Sequence, residues 1–175
     1  VNQVMAAIAA RGIKDICVAA SGVFAVHEPL VHWMEEGVVT QIVTSTFNAG
    51  PVPQAITAGK LQKPCIMMTH GGRAQAILGG SLHIDVAFIA APTCDEAGNL
   101  NGTSGKSACG GLSYIYADAE CADCVVAVTD NLVPYPARPI EISQDKVDYV
   151  VVVDSIGDPG GIASGTTKIT TDPVR

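Results

Sequence analysis

Apolar positions recur along this chain at two spacings. Val4, Met5, Ile8 and Ala9 fall at helical intervals, so residues 1–11 are predicted to form a helix that Gly12 stops. Ile16-Cys17-Val18-Ala19-Ala20 is a continuous apolar run, predicted as a buried strand running into the turn Ser21-Gly22. Pro29 suits a first helical position, and Leu30, Val31, Trp33 and Met34 give a helix ending at Gly37. Val38 to Thr44 reads as the next strand, and Pro51 to Ala58 as a short helix closed by Gly59.

The same unit then returns. Pro64 to Thr69 is predicted as a strand entering Gly71-Gly72, and Arg73 to Leu78 as a short helix. Ile84 to Ala91 reads as a strand buried on both faces, followed by a long Gly/Asn/Ser loop over 92–113. Tyr114 to Ala122 is helical, Cys124 to Thr129 a strand, and Tyr149 to Val153 another. Pro134, Pro136 and Pro139 force an extended, irregular stretch, and the tail from Gly157 shows no element. Alternating strands and helices predict an α/β fold: a mostly parallel open sheet with helices on both faces, in one domain over 1–175. In such sheets ligands bind beyond the carboxyl ends of the strands, so the loops there are where chemistry is expected.

Composition narrows the function. The 175 residues carry 10 Lys+Arg against 17 Asp+Glu, net -7, which excludes the basic surface of a nucleic-acid binder and a polybasic membrane-surface protein. Residues 1–90 hold five acids and five bases and 91–175 twelve and five, a contrast that fits either a neutral first half with surfaces facing other protein or a chance distribution of surface acids. No run is apolar enough to span a membrane, since polar residues and prolines interrupt Gly37 to Gly59, and the opening Val1-Asn2-Gln3 lacks the basic n-region of a signal peptide, so none is expected. The chain lacks an initiator Met and any terminating feature at Arg175, so a fragment of a longer chain is expected. Six cysteines in a core-rich chain are expected as reduced, mostly buried thiols of a cytoplasmic protein.

Four places can carry chemistry. Ser21-Gly22 follows the first strand, and its amides can serve a developing oxyanion, while Ser45-Thr46 is the corresponding loop after the next strand. At His70-Gly71-Gly72-Arg73, two glycines let a ligand approach the backbone, a new helix offers N–H donors, and Arg73 can pair a carboxylate. In the long loop, Asn99, Asn101, Gly102 and Lys106 can hold a phosphate or carboxylate through backbone donors and one charge. Gly105-Lys106-Ser107 is not a nucleotide-hydrolysing phosphate loop, because Leu100 stands where the first Gly is needed. Each also has a bland alternative, a solvated turn. Cys121-Ala122-Asp123-Cys124 lacks a second ligand pair, and the four histidines show no matching cluster, so no metal is expected.

Several strings together resemble one family. They are Thr69 to Arg73, Leu82 to Ile89, Pro92 to Asn99, Gly105 to Gly110, Leu132 to Pro136, Val147 to Asp154 and Ile156 to Pro159, preceded by His27 to Leu30, Gly37 to Thr40 and Thr44-Ser45. In this order and spacing they resemble the alpha subunit of citrate lyase, a citrate CoA-transferase, across essentially the whole chain. The resemblance implies a CoA-transferase-type α/β fold, here as the N-terminal part of a longer two-domain subunit. It implies exchange of acetyl for citrate on a thioester within an ATP-independent citrate lyase complex. The thioester is carried on the CoA-derived arm of an acyl carrier (gamma) subunit, with a lyase (beta) subunit as the other partner and an oligomeric assembly. No cofactor of the chain's own is implied. The catalytic residue is left unassigned, because in related CoA-transferases the catalytic Glu lies in the second half. Alternatives are a CoA-transferase using free acyl-CoA and another carboxylate, or a non-catalytic half-domain serving binding and assembly.

Overall fold

The computed structural model describes residues 1–48 and 50–162. Within it the chain gathers into two compact units, Val1–Ala76 and Ile77 onward. The class is the expected one, α/β with mostly parallel sheets flanked by helices, but the strands form three small sheets rather than one. The sequence pattern carries strand direction and spacing. It does not carry which strands share a ladder.

In the first unit, α1 (Asn2–Ala10), β1 (Ile16–Ala20), α2 (Leu30–Glu35), β2 (Val39–Thr44), α3 (Pro51–Thr57) and β3 (Ile66–Met67) build a parallel sheet of order β1-β2-β3. The helical apolar stripe beginning at Met5 meets Leu30, Trp33 and Met34 of α2, Ile42 of β2 and Val52 of α3 in one core. Burying side chains of this size stabilises by about 1.5–3 kcal/mol each. Pro29 caps α2 rather than opening it. β3 is two residues long instead of the six expected.

The helix α4 (His70–Leu78) begins three residues earlier than its apolar pattern. His70-Gly71-Gly72 is therefore the first turn of a helix and not a loop before it. The cause is Thr69, whose Oγ1 accepts the Gly72 N–H at 2.9 Å and whose carbonyl accepts the Arg73 N–H, an N-cap that outweighs the poor helix propensity of two glycines.

The second unit holds β4 (Val86–Ala90), β5 (Thr93–Asp95), β6 (Leu100–Asn101), α5 (Ile115–Cys121), β7 (Cys124–Thr129), β8 (Leu132–Val133), β9 (Tyr149–Val152) and the single-turn α6 (Pro159–Ile162). β4, β7 and β9 pair in parallel. Past the strand ends the same chains run on side by side: Ala91 N–H donates to Val128 O, Cys94 N–H to Asn131 O, and β5 pairs β8. β6 folds back antiparallel on β5. The expected loop over 92–113 is thus stranded in its first part, where 91–95 and 98–102 are buried and carry β5 and β6, and remains a loop over 102–113.

The β4 strand also departs from its expectation of burial on both faces. Ala87 and Ile89 are inside, but Val86 and Phe88 are exposed, Phe88 at 50%. Register places Val126, Tyr149 and Val151 on that same open face. A doubly apolar strand reads as doubly buried only if something covers both faces.

The tail from Gly157, expected to hold no element, carries the single turn α6, and residues 163–175 lie outside those described. Among the described residues no helix is long and apolar enough to cross a membrane.

Candidate functional site

The strand-end loops of the first unit come together because the three strands are parallel neighbours that stop at one level. Ala20 pairs Thr44, and Thr44 pairs Met67. Ser21-Gly22, Ser45-Thr46 and the start of α4 therefore leave the sheet side by side. The first two are laced together: Val23 N–H donates to Thr46 O at 3.0 Å and Asn48 N–H to Val23 O at 3.0 Å. A side chain on Gly22 would press against the end of the exposed Phe24 ring and Thr46 Cγ2, so a larger residue here has to push that ring aside. Ser45 Oγ is buried and has no hydrogen-bond partner.

At α4, nothing lies within 4 Å of where a Gly71 side chain would stand, so this part of the first turn is open to an approaching group. Its N–H groups carry the positive end of a nine-residue helix, a place for a carboxylate or an oxyanion. Arg73 is only 3% exposed, and its Nη2 donates to Ala19 O at 3.4 Å. The guanidinium thus ties α4 to the end of β1 beneath the loops, instead of standing in solvent.

The other four candidates, Asn99, Asn101, Gly102 and Lys106, sit in the second unit. The expectation that all these loops line one edge of one sheet does not hold, because their strands belong to different sheets. Asn99 is fully engaged within the protein. Its Nδ2 donates to Asp95 Oδ2 and Gln144 Oε1, and its Oδ1 accepts the Gln144 N–H. Asn101, wholly buried, uses Oδ1 to hold the Thr103 and Ser104 amides and the Ser104 hydroxyl. Gly102 runs against the Gly110 carbonyl with no room for a side chain.

Lys106 Nζ donates to Asp154 O at 3.1 Å and lies 3.5 Å from Asp130 Oδ2, whose carboxylate is buried and also accepts the Ile156 N–H. Its charge is offset within the unit. Asn99 and Lys106 are thus tied into the scaffold of this unit, while Asn101 Nδ2 is buried without a partner.

Three residues that organise these regions had no role assigned from sequence: Thr69 and Asp95, which lie within the strings singled out there, and Asp130, which does not. Thr69 had a readable signal, a Thr directly before a helix. Asp130 stands immediately after a strand, where the rule for parallel sheets directs attention. Asp95 accepts N–H groups from Ala97, Asn99 and Ala137, the last 42 residues away. Burial alone would push its carboxyl up, yet the bonds from Ala137, Asn99 and Ala97 hold it below its ordinary value.

None of the six cysteines is in a disulfide. Only Cys94 is buried, and Cys17 is exposed, so the thiols are less buried than expected. Burial, with Asp95 beside it, pushes the Cys94 thiol up to about 11. The Cys121–Cys124 pair joins no metal-ligating group among the described residues. One cluster that sequence spacing did not show is His83 with Asp85 and Asp123.

This architecture, parallel strands with loops gathered at their carboxyl ends, is that of the CoA-transferase-like α/β proteins. The glutaconate coenzyme A-transferase of Acidaminococcus fermentans superposes with a TM-score of 0.61 over 85% of this chain and 65% of its own, at 15% identity, which speaks for the fold alone. The chain belongs to the citrate lyase alpha subunit family, which matches residues 1–175 throughout.

The citrate lyase alpha chain of Klebsiella pneumoniae is 46% identical over 173 residues, 99% of this chain. A crystal structure of an alpha subunit of citrate lyase from Streptococcus mutans, in complex with citrate, is 53% identical over 98% of this chain with a TM-score of 0.89. The chain spans about a third of the length of these relatives, 34% of each.

Proposed function

We propose that this chain forms part of a citrate CoA-transferase, which exchanges acetyl for citrate on a thioester: acetyl thioester and citrate give citryl thioester and acetate. The carrying observation is the 53% identity, over nearly the whole chain, to an alpha subunit in complex with citrate. The local geometry supports it. Such an exchange needs donors for a developing oxyanion and a seat for carboxylates, and the first unit gathers Ser21, Gly22, Ser45, His70, Gly71 and Gly72 at one sheet edge.

The thioester belongs to the CoA-derived arm of an acyl carrier (gamma) subunit. The open side of Gly71 fits the approach of such a narrow arm, since no protein atom fills the space a Cβ would take. A lyase (beta) subunit, which splits the citryl thioester, completes an oligomeric complex. Cytoplasmic location is part of this reading, supported by six thiols without a disulfide.

The test uses the intact subunit, with acetylated acyl carrier and citrate, and reads citryl-carrier formation by mass spectrometry. Exchange that requires the carrier supports the reading. Exchange with free acetyl-CoA alone, or with another carboxylate in place of citrate, overturns it. Gly71→Leu is expected to raise the KM for the carrier thioester at least tenfold while leaving the circular dichroism spectrum unchanged. An unchanged KM removes Gly71 from the site.

A further inference from the structure

Away from the strand-end loops, the opposite edge of the second unit's parallel sheet carries a cluster with ligand chemistry. His83 and Asp85 stand two residues apart in the segment leading into β4, where the chain bends at Asp85 and leaves both side chains exposed. Pairing of Val86 with Cys124 sets Asp85 across from Asp123. Backbone bonds from Asp123 N–H to Ile84 O and from Cys124 N–H to Asp85 O, each 3.1 Å, fix that juxtaposition.

His83 Nε2 lies 3.0 Å from Asp123 Oδ2 and 4.0 Å from Asp85 Oδ1. One donor atom from each residue falls within 4.8 Å of the other two. Ligands on one tetrahedral ion at bond lengths near 2.1 Å stand about 3.4 Å apart. The spacings here bracket that value, and all three side chains are exposed and able to rotate onto it. Two carboxylates facing each other across a strand pair also repel, an unfavourable arrangement that a cation offsets.

We propose that His83, Asp85 and Asp123 form a binding site for one divalent ion of the zinc class, bridging the amino ends of β4 and β7. One imidazole with two carboxylates favours Zn2+ or Co2+ over Mg2+ and Ca2+, which take oxygen shells. Three protein ligands leave a coordination position for water or a further donor. The site lies at the other end of β7 from Asp130 and Lys106, so it clamps the sheet and takes no part in transfer.

The test is titration of the metal-depleted intact subunit with CoCl2, and with ZnCl2 in competition against a chromophoric chelator. Wild type is expected to bind one equivalent, without the near-ultraviolet charge-transfer band of a thiolate ligand. His83→Ala and Asp123→Asn each weaken binding roughly tenfold or more, and Asp85→Asn gives an independent variant should either misfold by circular dichroism. Unchanged affinity in the variants overturns the proposal. So does the absence of saturable binding, or a thiolate band abolished by Cys121→Ser.

Discussion

Asp95 shows how much one side chain can organise. A buried carboxylate that accepts three backbone N–H groups and the Asn99 amide links β5, the turn after it and the chain near Ala137. Removing it leaves several donors buried without partners, each costing about 1–3 kcal/mol. Asp95→Ala is therefore expected to cost about 3 kcal/mol or more, read as a lowered midpoint in urea denaturation. A loss under 1 kcal/mol would show that water replaces the carboxylate.

Beside it, the Cys94 thiol is buried and held protonated well into the alkaline range, whereas Cys17 is exposed. Since the thiolate is the reactive form, iodoacetamide at mildly alkaline pH should label Cys17 and spare Cys94 in the native protein. Peptide mapping by mass spectrometry checks this, and early labelling of Cys94 would contradict its burial.

At the scale of elements, α4 is instructive because its first turn contains two glycines. Intrinsic propensity opposes a helix there by about 1 kcal/mol per glycine, and the Thr69 cap together with the packed Arg73 reverses the balance. Thr69→Ala is expected to lower stability by about 1 kcal/mol, with Thr69→Ser retaining most of the wild-type value. Under the transfer reading, the alanine variant also raises the citrate KM by loosening the turn. If alanine and serine behave alike, the hydroxyl is not the cap.

The element positions were largely legible. β1 and β7 match their predicted ranges, and α1, α3 and α5 lie within one or two residues. β3 was misjudged because an apolar stretch can be edge coil as readily as strand. β5 and β6 were missed because two- and three-residue strands have no period to read. Of the candidate residues, those after β1, β2 and β3 were found from a rule about parallel sheets, and they do share an edge. The Asn99–Lys106 group looked equally functional in sequence. Asn99 is tied into internal hydrogen bonds, whereas Asn101 uses only its Oδ1 and leaves Nδ2 buried without a partner, a difference that residue type alone does not reveal.

For the whole molecule, burial of ionisable groups and the hydrogen bonds they accept together shape the pH dependence of stability. The Asp95 carboxyl is held below its unfolded value of about 3.9. Its contribution is present above that pH and is lost as pH falls through the lower folded value. His27 is also lowered, first by burial. Its contribution is present above the unfolded value near 6.5 and fades as pH drops below it.

The thiols act in the opposite sense. Cys94 is raised to about 11, and Cys65 and Cys109 are raised as well, chiefly by burial. Their contribution is full below the unfolded thiol value of about 8.5 and is lost as pH rises through the folded one. Urea midpoints are thus expected to fall on both sides of a broad maximum between about pH 6.5 and 8.5. His27→Gln should remove the first acid step, and Cys94→Ala should flatten the alkaline limb. A limb unchanged in its variant would assign that limb to other groups.

Local pattern by itself determined the α/β class, the order of elements, their direction and the strand-end loops, because periodicity and turn residues act over a few positions. Tertiary structure decided which strands share a sheet, which face of β4 stays open, and that Arg73 and Asn99 are tied inside. It also brought His83 and Asp123 together across 40 residues. These outcomes depend on the packing of distant segments and on where each buried polar group finds its partner, and neither is written in the spacing of neighbouring residues.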